Sequence, residues 1–201
     1  MKNYFKDAPI LKGTRLTLRN INPEIDNPPF YKMFLEPEMH VWTGNNVPKN
    51  ESETFELLSK YRDLDGVISW SIITTDKQEF IGTYWIAPIE LEGKRIVTSE
   101  AQRMEKQYWR CGYTKEARLL IYDFAFFKLD IEEIHAGAWK ENINSCKSME
   151  NIGFELFKSS KKLFPKRNEE LVENHYILTK NKWVMGKSLL NKEDYNEGCD
   201  K

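Results

Sequence analysis

The decisive stretch of this chain is Tyr108-Trp109-Arg110-Cys111-Gly112-Tyr113-Thr114-Lys115-Glu116-Ala117. It lies between a strand-like run, 95–104, and a long apolar helix pattern over 113–127. Gly112 marks the corner between them. The first turn of a helix leaves several backbone N–H groups without intrahelical acceptors, and the helix dipole adds positive charge there. The corner therefore suits an anion, and a diphosphate best. An ordinary strand-to-helix loop is the alternative interpretation.

The pattern Tyr-Trp-x-x-Gly-Tyr-x-x-Glu-Ala resembles the acetyl-CoA signature of the GCN5-related N-acetyltransferases, the GNAT superfamily. It is most similar to the branch that includes the ribosomal-protein N-terminal acetyltransferases. Arg110 replaces the usual first glycine, and Thr114 stands where alanine or glycine is usual. Arg110 could pair with a phosphate or crowd it. The resemblance implies acetyl-CoA as cosubstrate. The contacts it implies at the corner are Trp109, Arg110, Cys111, Gly112, Tyr113 and Thr114.

A second pattern follows the strand-like run 132–139. Asn142 and Ser145 precede a short helix that ends at Gly153-Phe154, which is similar to the GNAT pattern Asn-x-x-Ser. Helix capping alone would also favour both residue types at these positions. The resemblance implies that Asn142 hydrogen-bonds the pantetheine region. It also implies that Ser145 lies near the thioester sulfur and protonates the departing thiolate.

Acetyl transfer to an amine requires a neutral amine, a donor for the developing oxyanion and a proton for the thiolate. The resemblance implies direct attack, with a backbone N–H near Met104 as oxyanion donor. It further implies that the 95–104 strand splays from the 132–139 strand. The base is expected to be Glu100 or His135; a solvated strand carboxylate and a satisfied core histidine are the alternatives.

Hydrophobic periodicity predicts strands at 14–19, 67–75, 80–88, 95–104, 132–139, 154–164 and 173–178. It predicts helices that begin near Phe30 after a loop over 20–29, and at 51–64, 113–127 and 144–151. Residues 180–201 are expected to form a polar tail, with one or two helical turns at 183–190. This order predicts an α+β (mixed α/β) fold. The resemblance implies a single, mostly antiparallel sheet with a splayed strand pair.

The chain of 201 residues fits a single domain over 1–201, with its core at 11–179. The formal net charge of −1 predicts no nucleic-acid partner. The three cysteines show no C-x-x-C spacing, so no metal site is expected. The first twelve residues lack an apolar leader, and the apolar run 119–127 is too short to span a bilayer. A cytoplasmic protein without a membrane partner is expected, as a monomer or a homodimer.

The main hypothesis is therefore an N-acetyltransferase that moves the acetyl group of acetyl-CoA to a protein N-terminus or a small-molecule amine. The alternative is a degenerate GNAT domain that binds CoA or a protein partner without catalysis. A nucleic-acid-binding module rests only on the basic cluster at 161–167 and conflicts with the net charge. The acceptor pocket is expected between residues 27–64 and the last hairpin. Carboxylates for a basic acceptor exist at Glu36, Glu38, Glu51 and Glu53, and the basic cluster could instead contact an acidic one.

Overall fold

The computed structural model describes residues 7–44 and 46–190, with side chains through residue 187. Eight strands in these residues form one sheet in the order β1-β2-β3-β4-β5-β6-β8-β7. The strands are β1 Leu11–Lys12, β2 Leu16–Asn20, β3 Ile68–Thr74, β4 Phe80–Glu92, β5 Arg95–Met104, β6 Glu133–Trp139, β7 Glu155–Phe164 and β8 Glu169–Thr179. The α-helices are α1 Pro23–Phe34, α2 Glu51–Asp63, α3 Tyr113–Lys128, α4 Ile143–Glu150 and α5 Lys180–Leu190. Two 3-10 helices lie at Pro37–His40 and Lys106–Tyr108.

Six of the seven neighbouring strand pairs are antiparallel, and only β5 and β6 run parallel. The predicted fold class, a mixed α/β fold with a single and mostly antiparallel sheet, is confirmed. None of the helices in the described residues is long and apolar enough to cross a bilayer.

The parallel pair splays, as expected. β5 and β6 pair only where residues 97–99 face residues 133–135, although β5 continues to Met104 and β6 to Trp139. Met104 faces Gly82 on β4, while the next bond of that ladder joins Glu105 N to Ile81 O at 2.8 Å. In an antiparallel ladder, a residue flanked by bonded neighbours directs its own N–H and C=O to the opposite side. The Met104 amide therefore faces the gap between β5 and β6.

Helices cover both faces of the sheet. On one face, α3 and α5 meet through a cluster of rings in which Tyr122 lies 5.4 Å from Trp183, centroid to centroid. Cys146 and Met149 of α4 belong to the same core. On the other face, Phe30 and Phe34 of α1 pack with Leu58 of α2. The splay between β5 and β6 is thus an opening between two helical layers.

The first helix begins earlier than predicted. Residues 20–29 were expected to form a loop because they contain three prolines, yet α1 begins at Pro23, after the N-cap Asn22. Asp26 is buried, forms an ion pair of 2.6 Å with Arg19, and accepts from Ser71 Oγ at 2.6 Å. These contacts fix the helix to β2 and β3. They compensate the two backbone donors that Pro28 and Pro29 remove from its middle.

Residues 180–190, which were expected as a polar tail with one or two helical turns at 183–190, are helical throughout. They form α5, in which Trp183 is only 1% exposed and donates from Nε1 to Asp123 Oδ1 at 2.9 Å. Residues 191–201 lie outside the described part of the chain. Two strands also extend beyond their predicted bounds, because β4 runs to Glu92 and β8 begins at Glu169.

Candidate functional site

A cavity of about 710 Å³ crosses the sheet at the splay. Its wall comes from the end of β5, the start of α3, α4 and the segment that follows α1. On the α3 and α4 side the lining residues include Arg110, Gly112, Thr114, Lys115, Asn142, Asn144, Ser145 and Ser148. On the other side they are Glu38, Met39, Val41, Trp42, Thr43 and Arg103. Seven of the ten predicted site residues line it: Met104, Trp109, Arg110, Gly112, Thr114, Asn142 and Ser145.

The corner before α3 has the backbone that the sequence predicted. Gly112 is the N-cap with φ of 77°, and Arg110 also lies in the left-handed region with φ of 63°. A Cβ at Gly112 would lie 3.1 Å from Arg15 Nη2. Arg110 is exposed, lines the cavity and makes no ion pair within the described residues. The N–H groups of Tyr113 and Thr114 have no backbone acceptor among the described residues, and Gly112 and Thr114 line the cavity, so this corner suits an anion.

Arg15 braces this corner from the β1–β2 side. Its Nη1 donates to Cys111 O at 2.8 Å, its Nε donates to Glu116 Oε2 at 2.9 Å, and its guanidinium lies 4.7 Å from the centre of the Tyr113 ring. The Cys111 carbonyl and the Tyr113 ring, at two of the predicted cofactor contacts, therefore face this support, and neither residue lines the cavity.

Met104 is held where β5 ends. Its carbonyl accepts from Trp109 Nε1 at 2.6 Å, and its sulfur lies 3.6 Å from Thr114 Oγ1. The Met104 N–H, directed into the gap, is thus positioned by a strand ladder on one side and an indole on the other. Such a fixed amide can serve as a hydrogen-bond donor to a carbonyl oxygen in the cavity.

Asn142 and Ser145 occupy the start of α4. Asn142 is its N-cap, and its Oδ1 accepts from the Ser145 N–H at 3.4 Å. The capping role that the sequence left open is therefore present. The Ser145 hydroxyl is half-buried on the cavity wall and makes no hydrogen bond within the described residues, so it is open to a ligand.

Glu100 does not line the cavity, so the structure argues against its direct contact with an amine. Its side chain is 3% exposed and forms an ion pair of 2.7 Å with Arg118 Nη2, and its second oxygen accepts from Tyr122 OH. Burial, the largest single effect, opposes the charge of Arg118, but Glu100 and Tyr122 together outweigh it and raise the pKa of the guanidinium. Arg118 Nη1 also donates to Ser148 O at 3.0 Å and to Ser148 Oγ at 2.9 Å. The network thus ties α3 to α4 beneath the cavity.

His135, the other expected base, is also away from the cavity wall. Its Nε2 lies 3.2 Å from Glu133 Oε2, at the point where β5 and β6 still pair. Tyr108, which opens the decisive stretch but was not predicted as a contact, does line the cavity and donates to Glu79 Oε2 at 2.6 Å. Burial, and then the hydrogen bond to Glu79, raise the pKa of Tyr108, so its hydroxyl stays protonated.

The cavity wall is basic. Five of its lining residues are cationic (Arg103, Arg110, Lys115, Arg118 and Lys147), and one, Glu38, is a carboxylate. Two buried polar atoms have no hydrogen-bond partner in the described part of the chain: Gln102 Oε1 and Arg118 Nε, both on lining residues. An acceptor and a donor left open in this way fit the amide groups of a pantetheine arm, and the cations fit its phosphates. No group of three or more His, Cys, Asp or Glu residues among those described could hold a metal ion.

Sequence reasoning missed Gln102 and Arg118. A signal for Arg118 was present, because it is a charged residue on a helix that is apolar nearly all round. Such a residue needs a buried partner, and Glu100 on the preceding strand was available. Gln102 follows Glu100 by two positions on β5, so the two side chains lie on the same face of the strand.

Comparisons with known proteins agree with this geometry. The family described as "Acetyltransferase (GNAT) domain" matches residues 15–155. An "Uncharacterized N-acetyltransferase p20" of Bacillus licheniformis is 26% identical over 144 residues, which cover 70% of this chain and 79% of that protein.

Solved structures agree on the fold. A GNAT-family acetyltransferase from Bacillus anthracis has a TM-score of 0.75 at 20% identity, covering 86% of this chain and 99% of its own. A GCN5-related N-acetyltransferase from Brucella melitensis has a TM-score of 0.80 at 15% identity, covering 92% of this chain and 84% of its own. A putative ribosomal-protein-serine acetyltransferase from Vibrio cholerae has a TM-score of 0.70 at 17% identity, covering 87% and 99%. At these identities the likeness extends to the fold alone, so the ribosomal-protein branch stays a prediction.

Proposed function

The chain belongs to the GNAT acetyltransferase family, and from this premise we propose that it is an acetyl-CoA-dependent N-acetyltransferase acting on a primary amine by direct attack. The observation that carries the proposal is the cavity that crosses the sheet at the splay. The open amides of the α3 corner lie on one side of it, and Trp42 with Arg103 lies on the other. Two substrates can therefore meet from opposite faces without competing for space.

The residues on the α3 side suit the cosubstrate. The amides that follow Gly112 would hold the diphosphate at the helix N-terminus. Gln102 and Arg118 would pair with the amides of the pantetheine arm, because both residues line the cavity and each has a buried polar atom without a partner. Asn142 caps α4 through its Oδ1, and its side-chain amide nitrogen can donate to the cosubstrate.

Acetyl-CoA supplies the activated acyl group when it is bound. The Met104 N–H is the proposed donor to the thioester oxygen as negative charge develops there. The amine nitrogen forms a bond to the acyl carbon, the carbon–sulfur bond breaks, and the sulfur takes a proton from Ser145 Oγ. The hydroxyl of Ser145 then recovers a proton from the acylated nitrogen, so the products are an amide and a free thiol.

The neutral amine is proposed to arise without a carboxylate base in contact. Glu100 is committed to Arg118, and His135 lies at Glu133. The cationic residues of the wall disfavour a further positive charge in the cavity and so lower the pKa of a bound ammonium group. Water can then remove its proton. Glu100 acts in this account as a positioning residue, because it holds Arg118, which in turn holds Ser148 three residues after Ser145.

A thiol-release assay tests the proposal. The protein is incubated with acetyl-CoA and a panel of primary amines, and free CoA is measured together with the acetylated product. The Ser145→Ala variant should release thiol about 100-fold more slowly, the lower range for loss of a general acid. Cofactor affinity should change less than about twofold, since the hydroxyl acts only on the leaving sulfur.

Ser52→Ala is a matched control, because Ser52 is exposed on α2. An unaltered rate for Ser145→Ala removes Ser145 from the mechanism. Cofactor binding without thiol release over the whole panel refutes catalysis and favours the degenerate domain instead, a possibility that Arg110 and Thr114 motivate.

A further inference from the structure

The tip of the β7–β8 hairpin, residues 165–168, reaches across to the far mouth of the cavity. Lys166 Nζ donates to His40 O and to Thr43 Oγ1, both at 3.2 Å. The Arg167 guanidinium lies 4.7 Å from the centre of the Trp42 ring. Because Trp42 and Thr43 line the cavity, the hairpin tip stands at its rim on the side away from α3.

Arg103 lies on the same side. Its guanidinium rests 4.9 Å from the centre of the Phe34 ring and lines the cavity. It forms no ion pair or hydrogen bond within the described residues, although a guanidinium has five donors in a fork. Burial lowers the pKa of Lys166, and the positive charge of Arg103 lowers it further. This end of the cavity therefore has uncompensated positive charge.

The carboxylates of the segment that lines this mouth, Glu36 and Glu38, already form ion pairs within the protein. Glu36 and Glu38 both bind Lys106 Nζ, at 3.3 and 2.7 Å. Glu36 also accepts from the Glu38 N–H, and this bond, reinforced by Lys106, lowers the pKa of Glu36. Glu51 and Glu53, the other two carboxylates that the sequence offered to a basic acceptor, do not line the cavity, and Glu53 accepts from Lys49 N at 2.9 Å. A polyamine would find few open carboxylates here, whereas an anion would find an open fork.

We propose that the acceptor carries an anionic group, a carboxylate or a phosphate, beside its primary amine, and that Arg103 with Lys166 receives it. The inference rests on the proposed function and names the acceptor class for the same site. The anion relieves the repulsion between the two cations, and Arg103 can bind it through two parallel hydrogen bonds. The amine then points toward the splay, where Met104 and Ser145 lie.

Matched acceptor pairs test this by binding, independently of turnover. Calorimetry on the protein saturated with CoA compares 4-aminobutyrate with 4-aminobutanamide, and 2-aminoethyl phosphate with 2-aminoethanol. A third pair, Ser-Asp-Ala-amide and Ser-Asn-Ala-amide, separates a peptide source from a small molecule. In at least one pair the anionic member should bind about 10-fold to 100-fold more tightly, the range for a charged hydrogen bond.

Arg103→Met should bring that ratio close to one, and Arg103→Lys should restore part of it. Lys94→Met is the charge control, since Lys94 precedes β5 at the end opposite to Met104, about 30 Å away. Equal binding within every pair, no binding of any anionic member, or an unchanged ratio in Arg103→Met would overturn the proposal. Failure of the proposed function shows separately, as an absence of thiol release while the binding ratio persists.

Discussion

Replacing Arg118 by methionine would leave Glu100 buried without its ionic partner. The two side chains are 6% and 3% exposed, and their closest atoms lie 2.7 Å apart. Loss of one partner of such a pair costs about 3–5 kcal/mol, because the remaining charge cannot reach water. Glu100→Leu should cost a similar amount, since it leaves the guanidinium buried with only Ser148 and no counter-charge.

The double variant Arg118→Met/Glu100→Leu should cost less than the sum of the two single variants, by about 3 kcal/mol. An apolar pair of similar volume removes both charges together, and the remaining loss comes from the hydrogen-bond partners Tyr122 and Ser148. Against a total stability of about 5–15 kcal/mol, each single change is large enough to measure.

Urea denaturation of the four proteins, followed by fluorescence and circular dichroism, gives the coupling free energy. Arg62→Met is the control, because Arg62 pairs with Asp63 at the surface and its loss should stay within about 0.5 kcal/mol. Single-variant costs below about 1 kcal/mol, or costs that add within about 0.5 kcal/mol, would refute a buried and mutually dependent pair.

Three further predictions concern the corner and its tyrosine. Gly112→Ala should cost about 1–2 kcal/mol of stability, since the φ of residue 112 is 77° and the added Cβ would press on Arg15. Calorimetry should also show weaker CoA binding by this variant. An unchanged affinity would place the diphosphate elsewhere. Arg110→Gly should raise the free energy of unfolding by about 0.5–1 kcal/mol by relieving a φ of 63°, whereas Arg110→Ala, which keeps the strain, should not. The raised pKa of Tyr108 means that its contribution to stability is complete below the unfolded value of about 10 and declines as pH rises further. Urea midpoints between pH 8 and 11 should therefore fall less steeply for Tyr108→Phe, and identical slopes would contradict this.

The sequence predicted the parts of the site that depend on local backbone. Gly112 needs a left-handed φ before a helix, and Asn142 needs no partner beyond its own first turn to cap α4. Local patterns of this kind are visible in a single sequence because neighbours along the chain determine them. The fold class followed from the order of strands and helices. Each of these elements was predicted from the periodicity of its apolar residues, which indicates the buried face.

The errors arose where distant contacts override local preference. Pro28 and Pro29 signal a loop, yet Arg19 and Ser71 hold Asp26 and keep that segment helical. Trp183 lies in a polar stretch, and its burial depends on rings of α3. Glu100 was considered as a base, and its ion pair with Arg118 joins β5 to α3 between residues that are 18 positions apart in the chain.

The most direct test of the account is a crystal structure of the protein with bound CoA. It should show the diphosphate on the amides of residues 110–114 and the pantetheine arm between β5 and β6. The sulfur should lie within hydrogen-bond distance of Ser145 Oγ and close to the Met104 amide. A CoA molecule bound outside the splay, or a β5–β6 gap that stays empty at saturating CoA, would contradict the account.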